Sequence, residues 1–94
     1  ALAPGGAVVI GEITRDSPWG QRYLRLKEEG HPFYASARFY TVRETVRMLR
    51  AARFRVEAFA STLLQPPSEE PQPERVHDGV VTGASFVALR AVAL

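Results

Sequence analysis

The first thirteen residues, 1–13, read ALAPGGAVVIGEI and decide the fold class. The unbroken apolar run at residues 7–10 is typical of an interior strand in an α/β sheet, which is buried on both faces. Gly5 and Gly6 come before this strand and not after it. We therefore interpret them as a turn that leads into the strand, and not as a glycine loop that binds a nucleotide. The stretch predicts an α/β domain whose first strand, residues 7–13, needs neighbours on both sides.

Two helices are expected after this strand. Ser17 and Pro18 predict the start of the first, because serine caps a helix and proline is well tolerated at its first position. Gly20 is expected to weaken this helix, and Gly30 predicts its end. Residues 41–44 carry the T-x-x-E pattern of a capping box, and apolar residues then recur at helical spacing, which predicts a second helix.

Two more strands are expected, at residues 54–64 and 84–94. Val56, Ala58 and Ala60 alternate with Arg55, Glu57 and Phe59, as in a half-exposed or edge strand. The final stretch is almost entirely apolar, which indicates an interior strand. The order is strand, helix, helix, strand, strand. The first crossover predicts a parallel pair of strands, and the long last connection permits an antiparallel one.

The length of 94 residues allows one domain. Two helices cannot cover both faces of a sheet with interior strands, so residues 1–94 are expected to form a single partial domain, completed by a larger chain or by a partner. Within it, residues 14–40 form a helix and an aromatic loop inserted between strand and helix. Residues 65–82 are expected to form a mobile loop, since residues 65–79 hold four prolines and four acidic residues.

The charge and composition exclude several functional classes. The net charge is +2, and the Arg-rich stretch 15–55 includes Arg43, Arg47 and Arg50, which we interpret as a solvated stripe on one helix and not as a nucleic-acid surface. The chain has no cysteine and two scattered histidines, so we predict no metal site. No apolar run is long enough to cross a membrane. The lack of cysteine fits a reducing compartment, and we predict a cytoplasmic location.

Four blocks, in order, resemble class I S-adenosylmethionine-dependent methyltransferases. LAPGGAVVI at 2–10 resembles the fifth strand of that fold, FYTVRETVRMLRAARF at 39–54 the helix after it, and SFVALRA at 85–91 the antiparallel seventh strand. RDSPWG at 15–20 with HPFYASARFY at 31–40 resembles an insertion of the group close to ubiquinone/menaquinone-biosynthesis methyltransferases. Arg53 stands where the family often has glycine, so the helix is expected to end differently here.

The resemblance spans essentially the whole chain but only the C-terminal half of the family's fold. It implies a Rossmann-like sheet that lacks the N-terminal half, where S-adenosylmethionine binds, and therefore no cofactor-binding residue in these 94 residues. The function it implies is transfer of a methyl group to a small-molecule acceptor, with the fragment inactive by itself. The alternative function is a non-catalytic α+β module. The expected protein partner is a second copy or the missing half, paired through the exposed edge of strand 7–13.

The resemblance also implies that the insertion covers the acceptor pocket. Apolar and polar side chains near the carboxyl end of the first strand are therefore the candidates for that pocket: Glu12, Arg15, Asp16, Trp19, Tyr23, Phe33 and Tyr34. Trp19 and Tyr23 have core packing as their alternative role. Arg15 and Asp16 can instead pair with each other or cap the helix. His31 is a weak candidate for a general base, its alternative being an exposed loop residue.

Overall fold

The last strand of the chain lies inside the sheet. The computed structural model describes residues 3–32, 38–68 and 70–94. Its elements are, in chain order, β1 (Ala7–Ile13), α1 (Pro18–Glu28), α2 (Val42–Ala51), β2 (Phe54–Thr62), β3 (His77–Asp78) and β4 (Phe86–Ala93). The strand order across the sheet is β1-β4-β2-β3, and every neighbouring pair is antiparallel. The predicted mixed α/β fold, with its antiparallel last strand, is confirmed.

The predicted parallel pair of strands does not form. β1 and β2 run in the same direction, but β4 lies between them and pairs with both. β4 can fill this gap because the connection from β2 to β4 is long enough to bring the chain back antiparallel to β1. The crossover from β1 to β2 therefore gives these two strands the same direction, as predicted. They are not hydrogen-bonded to each other, because β4 lies between them.

The core lies between β4 and α2. Val87, Leu89 and Ala91 of β4 are each 1% exposed and form one buried cluster with Leu49 of α2. Half-buried side chains from the flanking strands and from α2 pack around them: Val8, Ile10, Val42, Val46, Phe54, Val56 and Phe59. One helix therefore covers one face of the sheet.

The other face of β1 is exposed, so the described residues do not supply the second covering layer that the apolar run was predicted to need. Exposed and half-buried residues alternate along β1, and Val9, which faces away from α2, is 69% exposed. Val8 and Ile10 face the core. An apolar run is compatible with two buried faces, but burial requires a second layer, and α2 supplies only one.

A β-bulge changes the side-chain alternation of β2. The pairing with β4 shifts between Val56 and Ala58, so that Phe59, and not Ala58, lies on the face that packs against α2. A bulge places two residues opposite one and moves every later side chain to the other face. The predicted alternation is therefore right up to Val56 and wrong after it.

The first helix is held to the end of the sheet through Gly20. Ser17 caps α1, donating through Oγ to the Thr14 carbonyl (2.6 Å) and accepting from the Gly20 N–H (3.1 Å). A Cβ at Gly20 would lie 1.9 Å from the Thr14 carbonyl oxygen. Gly20, expected only to weaken the helix, thus permits the close approach of α1 to the chain after β1.

The second helix begins as predicted and ends in an unexpected way. Thr41 and Glu44 form a complete capping box at its start. After the C-cap residue Ala52, Arg53 adopts a φ of 65°, the left-handed conformation in which glycine is favoured. The prediction that this helix ends differently without glycine is wrong, because the left-handed ending is retained at a cost of about 1 kcal/mol.

No helix in the described part of the chain is long and apolar enough to cross a membrane.

Replacement of Gly20 by alanine should destabilise the protein by about 1–3 kcal/mol, because the added methyl group overlaps a backbone oxygen. Intrinsic helix propensity alone predicts the opposite sign, a gain of about 1 kcal/mol. Urea unfolding of Gly20→Ala distinguishes these two expected effects on stability. Arg25→Ala, on the exposed surface of the same helix, is the control for the gain in helix propensity. An unfolding midpoint above that of the parent would contradict the close approach.

Candidate functional site

A cleft lies at the carboxyl end of β1, between the starts of the two helices. Its volume is about 490 Å³. The helix starts form one side, and the loop before β4 forms the other. The lining residues are Thr14, Asp16, Ser17, Pro18, Thr41, Val42, Arg43, Val80, Val81, Thr82, Gly83, Ala84 and Val87. The cleft therefore lies where α/β sheets usually bind ligands, beyond the carboxyl end of a strand.

The lining offers both apolar contacts and a few polar groups. Val42, Val80 and Val87 supply apolar surface, and the hydroxyl-bearing residues Thr41 and Thr82 lie beside them. Asp16 and Arg43 add one carboxylate and one guanidinium. A mostly apolar cavity with a few polar groups is the usual form of a small-molecule site. The cleft can therefore orient a small molecule that carries a polar group.

The carboxylate of Glu12 lies next to this cleft, under α2. Glu12 pairs across the sheet with Val87, a cleft residue, and both of its carboxylate oxygens accept from the Thr45 hydroxyl (2.9 and 2.8 Å). Burial raises the pKa of the Glu12 carboxyl above its ordinary value of 4.5, and the hydrogen bond from Thr45 lowers it in part. Glu12 contacts the helix and is not among the residues that line the cleft.

Arg15 is part of the scaffold at the start of α2. Its guanidinium forms a 2.8 Å ion pair with Glu44, and its backbone N–H donates to the Tyr40 carbonyl. The pKa of Glu44 is lowered, chiefly by the hydrogen bond from the Thr41 N–H and also by the Arg15 charge. The alternative that Arg15 pairs with Asp16 is not the arrangement found, and Ser17, not Asp16, caps α1.

Two of the aromatic candidates, Trp19 and Tyr23, pack within the protein. Trp19 is 6% exposed, and its indole N–H donates to the Gln65 carbonyl (2.9 Å). Tyr23 is half-buried and stacks on Phe39, with ring centroids 6.1 Å apart. These contacts agree with the core-packing alternative stated for Trp19 and Tyr23. Phe33 and Tyr34 lie outside the described residues.

Of the predicted pocket residues that the structure describes, Asp16 alone lines the cleft. His31, the weak catalytic candidate, is exposed beyond the end of α1, where its N–H donates to the Leu26 carbonyl and completes the helix ending around Gly30. Residues 80–84 are the longest continuous segment of the lining that sequence reasoning missed. Nothing local in that loop marks it as a site, because it reaches the cleft only through the pairing of β4 with β1.

The described part of the Pro- and acid-rich segment 65–82 forms a loop held by internal hydrogen bonds. The Glu74 carboxylate accepts from the backbone N–H groups of Leu64 and Gln65, and Gln65 and Gln72 bond each other through side chain and backbone. These hydrogen bonds, chiefly the one from the Gln65 side chain, lower the pKa of Glu74. The Trp19 indole donates to the same segment. The predicted mobile loop 65–82 is therefore connected to α1 at its start.

Because burial raises the pKa of Glu12, the folded state binds this proton more tightly than the unfolded state. Ionisation of Glu12 then opposes folding, and its contribution to stability falls as pH rises from about 4.5 through the folded pKa. Glu12→Gln removes the titration while keeping an oxygen for the Thr45 hydroxyl. Its urea midpoint relative to the parent should therefore increase between pH 4.5 and pH 7.5.

The matched control is Glu28→Gln, at the exposed end of α1. The same urea series on this variant corrects for a general change in net charge. A Glu12→Gln midpoint that tracks the parent across the pH range, or falls relative to it, would contradict the assigned effect of burial.

No known family profile matches the chain. An uncharacterized protein of Mycobacterium tuberculosis is 45% identical over 92 residues, which are 97% of this chain and 32% of the relative. An uncharacterized protein of Methanocaldococcus jannaschii is 32% identical over 96% of this chain and 42% of its own length. The chain thus spans about a third of the mycobacterial relative and less than half of the archaeal one.

Among solved structures, the chain is similar to a SAM-dependent methyltransferase of Thermotoga maritima, described as a possible histamine N-methyltransferase. The TM-score is 0.82 at 33% identity, and the match covers 97% of this chain and 42% of that one. The antiparallel sheet with its two helices therefore matches the C-terminal part of a methyltransferase fold. The broad resemblance noted from the sequence is confirmed by this match.

Proposed function

We propose that this chain is the C-terminal portion of an S-adenosylmethionine-dependent methyltransferase that acts on a small-molecule acceptor. The observation that carries the proposal is the likeness to the Thermotoga methyltransferase, which runs through 97% of the chain at 33% identity. The cleft supports it, because its position and its mixed lining suit a small acceptor. Under this proposal, the chain by itself is inactive.

The glycine turn before β1 does not fit the cofactor. The Gly5 N–H donates to the Ala93 carbonyl (2.9 Å), and the Gly6 N–H donates to the Ala3 carbonyl (2.9 Å). The Gly6 carbonyl in turn accepts from the Ala93 N–H (2.8 Å). This glycine turn extends the β1–β4 ladder, so its N–H groups are not available to a ligand. S-adenosylmethionine, which supplies the methyl group in this class of enzyme, is therefore assigned to another part of the complete protein.

The contribution assigned to this chain is the orientation of the acceptor. Methyl transfer depends on alignment of the acceptor atom more than on acid–base chemistry, so a rigid pocket is the main requirement. The capping box at Thr41 and the Gly20 contact make both helix starts rigid. Asp16 and Thr82 lie on opposite sides of the cleft and are proposed to hold the polar group of the acceptor.

The narrower resemblance, to the ubiquinone/menaquinone-biosynthesis group, is part of the proposal and rests on the blocks at 15–20 and 31–40. A cytoplasmic location is proposed with it. The second candidate function is a non-catalytic module that dimerises. The observation that favours this alternative is the exposed strand β1, whose outer edge has no neighbour among the described strands.

The test uses a chimera in which this chain replaces the matching 42% of the Thermotoga methyltransferase. The chimera is expected to transfer a labelled methyl group from S-adenosylmethionine to small amines, with histamine tried first because of the neighbour's description. Asp16→Ala and Thr82→Ala should each raise the KM for the acceptor by about tenfold, since each removes a hydrogen bond worth about 1.5 kcal/mol. The Kd of the cofactor should not change.

Arg25→Gln, on the exposed surface of α1, is the matched control and should leave both constants unchanged. The 94-residue chain alone should release no heat with S-adenosylmethionine in calorimetry. A folded chimera that binds the cofactor but methylates no member of an acceptor panel would overturn the proposed function. Light scattering that finds a stable dimer of the chain alone, together with such a result, would favour the dimerisation module.

A further inference from the structure

A second cleft lies along the exposed flank of α2, and its volume is about 390 Å³. Its lining residues are Arg43, Val46, Arg47 and Arg50, which we call the arginine groove. The three arginines follow one another at spacings of four and three residues, so they share one side of the helix. All three are exposed. This stripe of positive charge therefore borders a groove that is large enough for a small anion.

The guanidinium groups of the groove have no carboxylate partner among the described residues. The ion pairs in that part of the chain join Arg15 to Glu44 and Arg90 to Glu57. Glu44, the one acidic residue of α2, is thus already paired. Like charges three and four residues apart on a helix repel each other, and Arg43 lies in the first turn, where the helix dipole disfavours a cation. An anion bound in the groove relieves both repulsions.

The arginine groove adjoins the candidate acceptor cleft. Arg43 lines both cavities. Val42 lines the cleft and Val46, one helical turn later, lines the groove, so apolar surface of α2 connects the two. A ligand that lies in the cleft can therefore extend along α2 to the remaining arginines.

The charges of the two cavities define which end of such a ligand lies where. Asp16 places a carboxylate in the cleft, on the side of α1, and this carboxylate repels an anionic group. The guanidinium groups of Arg43, Arg47 and Arg50 attract it toward the groove. Guanidinium donates pairs of N–H groups to carboxylate and phosphate oxygens, which makes these two anions the best matched ligands.

We propose that the methyl acceptor carries an anionic group, a carboxylate or a phosphate, which binds in the arginine groove while the reacting end of the acceptor lies in the cleft. The inference rests on the proposed function and narrows its substrate class to anionic small molecules. Two anchored ends fix the orientation of the acceptor, which is the main requirement of methyl transfer. A nucleic acid fits the groove less well, because its lining contains no aromatic residue on which a base could stack.

The first experiment measures anion binding directly. Inorganic phosphate and acetate, one for each kind of anionic group, are titrated at constant ionic strength into the 94-residue chain, and amide chemical shifts in NMR spectra give the Kd. Arg47→Gln and Arg50→Gln should each weaken the binding of at least one anion by about threefold, since each removes a charged hydrogen-bond donor at an exposed site. If the chain alone does not give the spectrum of a folded protein, the Thermotoga chimera is titrated instead.

The matched control is Arg55→Gln. Arg55 is also exposed, and it lies on β2 between Phe54 and Val56, whose side chains face the core. Because side chains alternate along a strand, Arg55 points to the face opposite α2. The control makes the same change in net charge and should leave the Kd of both anions unchanged.

The second experiment tests whether the anionic group belongs to the acceptor. The chimera is supplied with two matched pairs: histamine and histidine, which differ by a carboxylate, and histidinol and histidinol phosphate, which differ by a phosphate. We expect kcat/KM to be about tenfold higher for the anionic member of at least one pair. Arg47→Gln should remove most of this advantage without changing the Kd of S-adenosylmethionine, and Arg55→Gln should retain it.

Binding of neither anion, or equal weakening by Arg47→Gln and Arg55→Gln, would overturn the proposal. So would a higher kcat/KM for the member without the added anion in both pairs. An oligonucleotide that displaces phosphate from the groove, with an affinity that falls steeply with salt, would assign the groove to nucleic acid and also overturn it. Anion binding in the groove without methyl transfer to any acceptor contradicts only the proposed function, and methyl transfer without anion binding contradicts only this inference.

Discussion

The structure depends on the insertion of β4 between β1 and β2. Its inward-facing residues, Val87, Leu89 and Ala91, are the most deeply buried apolar residues described, and they contact α2 directly. β4 supplies the hydrogen-bonding partner for both longer strands, so neither has another neighbour of comparable length. Burial of apolar surface stabilises a fold by about 25 cal/mol for every Å² removed from water, and β4 supplies three of the four buried residues in the cluster that joins α2 to the sheet.

The same insertion builds the cleft. Because β4 runs antiparallel to β1, the residues just before β4 arrive beside the carboxyl end of β1, where the helix starts also lie. Ser85 is fully buried there, and its hydroxyl oxygen accepts from the backbone N–H of Trp19, while its carbonyl accepts from the backbone N–H of Thr14. A break in this small network would move α1 and the cleft together. The candidate site is therefore a consequence of the sheet topology and not a separate loop structure.

One face of the sheet is covered and the other is exposed to solvent, and this difference bears on the proposed function. α2 covers one face, while the described chain leaves the other face of β1 and β4 open. Since the similar methyltransferase is more than twice as long as this chain, an uncovered sheet face is what a portion of that fold is expected to have. Under the proposed function, this chain orients the acceptor and another part of the complete protein binds the cofactor.

The sequence by itself determined β1, the two helices with their caps at Ser17 and Thr41, and the approximate position of β4, because these depend on interactions among residues close in the chain. Only the tertiary structure decided the placement of β4 between the other strands, the bulge after Val56, and the role of Gly20. Each of these results from contacts between residues that are distant in the chain. The periodicity of apolar residues within one segment contains no information about such contacts. Asp16 was predicted beside the site because it directly follows a strand, whereas residues 80–84 reach it only through strand pairing across the sheet.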